Sequence, residues 1–116
     1  MIEEKLLEVR SYTGEGFRPL VYFNSWRVAV LNYIDELEPA NIHRVERHPQ
    51  TDEVFVLLRG QGTLFVGIGE PEMETFYAQG MEPGVIYNVK PHTWHAVVLI
   101  QQHGNQQCQL WLCERF

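Results

Sequence analysis

The stretch Glu46-Arg47-His48-Pro49-Gln50-Thr51-Asp52-Glu53 sets two carboxylates and an imidazole within eight residues, directly ahead of the apolar run Val54-Phe55-Val56-Leu57-Leu58. Two further imidazoles, His92 and His95, precede a second apolar run, Ala96-Val97-Val98-Leu99-Ile100. Carboxylate oxygens and imidazole nitrogens are donors for divalent ions of intermediate hardness, and the same groups hold and move protons near neutral pH. Residues two apart on a strand share a face, so Glu46 and His48 point the same way, with Arg44 in phase with both. The turn Pro49-Gln50-Thr51-Asp52 reverses the chain, and an antiparallel neighbour brings Glu53 back beside His48. Two imidazoles and one or two carboxylates gathered from adjacent strands make a divalent metal site.

The elements that must gather these groups read as short strands. Runs of β-branched and aromatic residues at 19–24, 26–34, 42–48, 53–60, 63–68, 74–79, 85–90, 95–100 and 108–114 are separated by Gly, Pro and Asn turn chemistry. Residues 2–9 read as a turn of helix or a first strand, and 33–42 hold a turn before Pro39. Strands at this spacing in 116 residues mean a single all-β domain, 1–116, built as a sandwich or barrel. Both faces of 53–58 and of 95–100 are apolar, where a face open to water would alternate with polar residues. A second copy covering the outer face makes the protein a homodimer; the alternative cover is the chain's own loops and N-terminal segment.

Charge narrows the partners. A net charge of −6 offers no basic field for phosphates, which argues against nucleic acid and anionic membrane surfaces. No apolar run is long enough to span a bilayer, and the N-terminus carries acids where a secretory signal would be basic and then apolar. Cys108 and Cys113 fall five apart on a strand, so they face opposite ways and do not pair with each other. A reducing, cytoplasmic setting follows. There is no Gly-rich phosphate loop, no Gly-x-Ser-x-Gly elbow and no zinc-finger spacing of the cysteines.

The constellation resembles the cupin superfamily, whose first motif runs G-x5-H-x-H-x3–4-E-x6-G and whose second runs G-x5-P-x-G-x2-H-x3-N. His48, Glu53 and Gly60 fit the later part of the first motif in residue type and spacing. The Pro83-Gly84 turn, a strand, Pro91 and His95 resemble the second, and together the two cover about residues 40–100. Glu46 stands where the family has its first histidine, the first motif's initial Gly is missing, and Leu99 stands at the Asn. No Gly follows Pro91, and the spacing from it to His95 is one residue short. The bend before the second strand is therefore built differently, and either His95 or His92 reaches inward, His95 being favoured because it begins the apolar strand.

The resemblance implies a small, RmlC-like cupin: a double-stranded β-helix, or jelly-roll barrel, with a divalent metal (Mn, Fe, Ni or Zn) at one mouth. It implies that His48, Glu53 and His95 bind the metal and that Glu46 is a fourth ligand or the catalytic base. Arg44 holds an anionic group of the substrate or pairs with Glu46 or Glu53. The implied function is a metal-dependent isomerase, lyase or oxygenase acting on a small polar, in one version anionic, organic molecule. The rival is a non-catalytic barrel that binds or senses a small ligand.

Overall fold

Eight of the apolar runs form strands, and the glycines and prolines between them carry the chain from one sheet to another. The computed structural model describes residues 2–42, 45–47, 51–101 and 107–115. In chain order the strands are β1 (Gly16–Phe23), β2 (Trp26–Asn32), β3 (Glu53–Arg59), β4 (Gln61–Ile68), β5 (Thr75–Met81), β6 (Ile86–Val89), β7 (Trp94–Ile100) and β8 (Gln109–Arg115). Two single turns of 3-10 helix, Asp35–Leu37 and Pro39–Asn41, follow β2. One antiparallel sheet runs β1-β2-β8-β3-β6 and the other β5-β4-β7.

Alternation along each strand decides what is buried. On the inner face of the larger sheet Ala29, Leu112 and Phe55 form one row, and Leu31, Leu110 and Leu57 the next. Leu64, Met81 and Leu99 meet these rows from the smaller sheet. Leu57, Leu99 and Leu110 are fully buried, each contributing about 1.5–3 kcal/mol through loss of apolar surface from water. Pro19, which has no N–H to give a ladder, lies in edge strand β1 at a shift in register.

The crossing between sheets depends on one glycine. Gly60 joins β3 to β4 with φ at +97°, and a Cβ there would lie 2.7 Å from Cys108 Sγ and 2.8 Å from Cys108 Cα. Gly60→Ala is therefore expected to cost about 1–3 kcal/mol in left-handed strain, with the steric clash in addition. Urea denaturation measures it; an unchanged midpoint would show that the crossing tolerates a side chain.

Two expectations are met in part. Among the described residues the sheets form an open, cupin-like sandwich, and no strand pairing closes them into a barrel. The expected strand at 42–48 is reduced, among its described residues, to a single bridge between Glu46 and His95. Among the described residues, β7 is joined to this segment by that one bridge.

The outer faces are partly covered by the chain itself. Asn32 donates to the Tyr12 and Gly14 carbonyls at 3.0 and 2.7 Å, and Gln109 donates to Tyr12 O, so the N-terminal segment is clasped over one end of the larger sheet. Beyond that clasp Val28, Leu58, Ile86 and Trp111 stay exposed. No helix among the described residues is long and apolar enough to cross a membrane.

Candidate functional site

The site grows from one polar row at the end of the core. Arg27 on β2 lies opposite Glu114 on β8. The β8–β3 register pairs Cys113 with Val54, and one step further it sets Glu114 opposite Glu53. Each of these residues is in phase with buried apolar neighbours: Arg27 with Ala29, Glu53 with Phe55 and Leu57, Glu114 with Leu110 and Leu112. Their backbone parity thus sends three charged groups inward. From the smaller sheet His95 points at the same place, in phase with Val97 and Leu99. Glu53, His95 and Glu114 are 5%, 4% and 7% exposed, so their charges interact with little help from water.

Geometry restricts the protonation of this group. His95 Nε2 lies 3.0 Å from Glu53 Oε1, and His95 Nδ1 lies 3.1 Å from the Thr93 carbonyl oxygen. A carbonyl only accepts, so Nδ1 carries a hydrogen and donates it. An ionised Glu53 also only accepts. The His95–Glu53 contact is then satisfied by an imidazolium against a carboxylate, by a proton held on Glu53, or by a cation in the proton's place.

The titration directions follow. Burial is the largest influence on His95 and disfavours its charged form, but the Glu53 hydrogen bond, the Thr93 carbonyl and the charges of Glu53 and Glu46 together outweigh it and raise the pKa. Glu114 is also raised, first by burial and then by its hydrogen bond with Glu53, against the opposing pull of Arg27. Arg27 Nε donates to Glu114 Oε2 at 2.7 Å, and the nearest ion-pair distance is 2.6 Å. The Phe55 ring meets His95 edge-on at 5.9 Å between centroids, fixing the imidazole from the core side.

The remaining sequence-derived candidates are distributed differently. Glu46 is exposed; its backbone exchanges hydrogen bonds of 2.8 and 2.9 Å with His95, and it lines the cavity. His48 and Arg44 lie outside the described residues. His92 is exposed in the turn before β7 with φ at +65°, whereas His95 is the buried imidazole. Arg47 is ion-paired with Glu70 and stacks on Trp94, its guanidinium carbon 4.2 Å from the ring centre. Trp94 in turn donates to the Gly69 carbonyl at 2.9 Å, so both residues belong to the wall. Glu114 and Arg27 are missing from the sequence-derived set. The signal that exposes them is the one that marks Glu53, a charged residue in phase with an apolar strand face.

A cavity of about 1150 Å³ opens on this row. Glu46, Glu53, Glu114, Arg27, Arg115 and His95 are among its polar lining, Phe17, Leu31, Phe55, Val97 and Leu112 among its apolar lining, and residues on either side of Glu38–Ala40 in the 3-10 segment complete the wall. That segment is held by Tyr33, which donates to Glu38 at 2.7 Å, and by Asn41, which donates to the Asp35 carbonyl at 2.7 Å.

A metal fits the two convergent donors. Neighbouring ligands on an octahedral ion with bonds of about 2.1 Å lie roughly 3 Å apart, which matches the His95–Glu53 spacing of 3.0 Å. Fixing Nδ1–H on Thr93 leaves Nε2 as the ligating nitrogen. Among the described residues, however, no three His, Cys, Asp or Glu side chains group to hold an ion.

No protein-family model and no curated protein matches the chain. Solved structures match its fold. A cupin-2 domain protein from Shewanella frigidimarina superimposes with a TM-score of 0.55 and 14% identity, over 90% of this chain and 85% of its own. A proposed mannose-6-phosphate isomerase from Ralstonia eutropha gives 0.62 and 17%, over 90% and 86%. Hydroxypropylphosphonic acid epoxidase from S. wedmorenis gives 0.64 and 16%, over 86% and 49%, and the iron(II) form of HppE gives 0.63 and 16%, over 86% and 48%. The chain thus spans about half the epoxidase and most of the two smaller proteins. At these identities the likeness establishes a distant cupin-like fold and no chemistry.

Proposed function

We propose that this protein is a metal-dependent enzyme acting on a small polar organic molecule. The observation that carries the reading is the buried His95–Glu53 pair, two donors converging at 3.0 Å on the polar side of a cavity. His95 Nε2 and Glu53 hold the ion, and His48 is the proposed third ligand. A divalent ion (Mn, Fe, Ni or Zn) supplies Lewis-acid activation when bound. Glu46, exposed at the cavity wall, is the proposed base or a fourth ligand. Thr93 keeps the imidazole in one tautomer, and the apolar lining limits water around the reacting groups. Arg44 is the proposed anchor for an anionic group if the substrate carries one. The unpaired thiols Cys108 and Cys113 suit a reducing cytoplasm.

Metal analysis of the purified protein after supplementation tests the reading; one equivalent is expected, and none would overturn it. The second reading, a non-catalytic barrel binding a small ligand, is favoured by the lack of a three-residue metal group among the described residues. It predicts ligand binding that is indifferent to chelators.

The exposed outer face of the larger sheet supports a homodimer. Val28, Leu58, Ile86 and Trp111 lie on it, and a stable contact of this kind needs about 1,200–2,000 Å² of buried surface. Light scattering is expected to give twice the 13.6 kDa chain mass, and Trp111→Lys is expected to shift the protein to monomer. A monomeric wild type at high concentration would remove this proposal.

A further inference from the structure

Four strands form the edges of the two sheets, and three of them carry features that discourage pairing with another chain. β1 has Pro19 and a shift in register, and β6 has only four residues. β7 exchanges backbone hydrogen bonds of 2.8 and 2.9 Å with Glu46. The fourth edge, β5, is bare. Its seven residues, Thr75-Phe76-Tyr77-Ala78-Gln79-Gly80-Met81, pair with β4 without a register shift and include no charge and no proline. All but Met81 are exposed. Among the described residues β4 is its only strand partner, so a row of backbone N–H and C=O groups points outward.

We propose that β5 pairs antiparallel with β5 of a second copy, across a two-fold axis at Tyr77, and so joins two of the smaller sheets into one. A two-fold axis makes the contact self-complementary. In this register Tyr77 meets the partner subunit's Tyr77, Phe76 meets the partner subunit's Ala78 and Glu74 meets the partner subunit's Gly80. Opposed aromatic rings favour pairing, and no like charges oppose each other along the strand. Gly80 leaves room for a neighbour, since a Cβ there would meet nothing within 4 Å. At a net charge of −6 two copies repel, and an uncharged strand is where that repulsion costs least. An uncharged edge also gives a foreign strand no charge to recognise. Seven residues a side is well below the roughly 20–30 of a stable interface, so the contact is weak and forms at high protein concentration. It is separate from the outer-face contact and independent of the metal reading.

The test is oxidative cross-linking of the full chain with copper phenanthroline at high concentration, in a Trp111→Lys background that removes the outer-face contact. Directly opposite Cα atoms in an antiparallel pair lie about 4.5–5.5 Å apart, within reach of a disulfide. The two Phe76 positions would be diagonal neighbours about 7–8 Å apart, beyond that reach. Phe76 and Tyr77 are 58% and 61% exposed, so thiols at the two positions are equally open to chance collision. Tyr77→Cys is expected to give a covalent dimer of twice the 13.6 kDa chain mass, and Phe76→Cys to stay mostly single-chain. Light scattering gives a second readout without new cysteines. Tyr77→Lys and Tyr77→Glu are each expected to lose concentration-dependent association, and an equimolar mixture of the two to regain it. A Tyr77→Cys variant that cross-links no faster than Phe76→Cys overturns the proposal and leaves the edge to a foreign strand. If Tyr77→Cys does not fold, a mixture of Tyr77→Lys and Tyr77→Glu that stays single-chain overturns it.

Discussion

His95→Ala is expected to leave the protein without bound metal, and Glu53→Gln to do nearly the same while keeping the shape of the side chain. His95 Nε2 and Glu53 Oε1 are the two buried donors that converge, so losing either leaves too few ligands on a fixed frame. The effect should appear in stability as well as in metal content. A ligand at one hundred times its Kd stabilises the folded state by about 2.7 kcal/mol. In a domain of this size that corresponds to a rise in Tm of roughly 10 °C or more. Wild type is expected to show this rise on adding metal, and both variants to show none. Glu46→Gln separates the two roles proposed for Glu46: a base leaves metal content intact and lowers turnover, whereas a ligand lowers both. Metal content by mass spectrometry, alongside circular dichroism to confirm folding, reads the result. Full metal occupancy in a folded His95→Ala variant would end the assignment of this pair.

Arg27→Met is expected to destabilise the metal-free protein by about 3–5 kcal/mol at mildly alkaline pH, the usual cost of removing one partner from a buried ion pair. Arg27 is the cation nearest Glu114, at 2.6 Å, with side-chain exposures of only 23% and 10%. The pH dependence follows from the signs of the shifts. The His95 pKa is raised on folding, so its contribution to stability is fully present below the unfolded value, about 6.5. It is lost as pH climbs through the higher folded value. The Glu114 pKa is raised too, so from about pH 4.5 upward the folded state binds more protons than the unfolded one, and stability again falls with rising pH. Both signs make the metal-free wild type more stable in mild acid than in mild alkali. In Arg27→Met the uncompensated Glu114 carboxylate takes up a proton as pH falls, so the deficit should shrink between pH 8.5 and pH 5.5. Urea denaturation in chelator at these two pH values measures it. An equal deficit at both would mean that Arg27 contributes packing alone.

Strand order explains why these two predictions draw on different kinds of information. Parity along a strand is local, and it is written into the sequence: Glu53 opening an apolar run, His95 opening another, and turn chemistry between them. Those features are enough to place the two residues on inward faces of an all-β domain. Parity marks Arg27 and Glu114 as inward as well, but each then looks like an isolated charge on an apolar strand. Their partnership exists because β8 inserts between β2 and β3, joining residues 87 apart in sequence. Strand order of this kind is set by how whole sheets bury their apolar faces, a non-local property that no window of sequence contains.

The 42–48 segment shows the opposite limit. Its alternation predicts a full strand carrying Glu46 and His48, yet among its described residues the chain makes only the Glu46–His95 bridge. A strand needs a partner along its length as well as the right alternation. The sequence by itself therefore determined the all-β class and offered Glu53 and His95, with His92 as the alternative to His95, as inward-facing donors. Only the tertiary structure decided that the strands divide into sheets of five and three, that His95 meets Glu53 at 3.0 Å, and that Arg27 pairs with Glu114 beside them, because each of these depends on strands meeting across the fold.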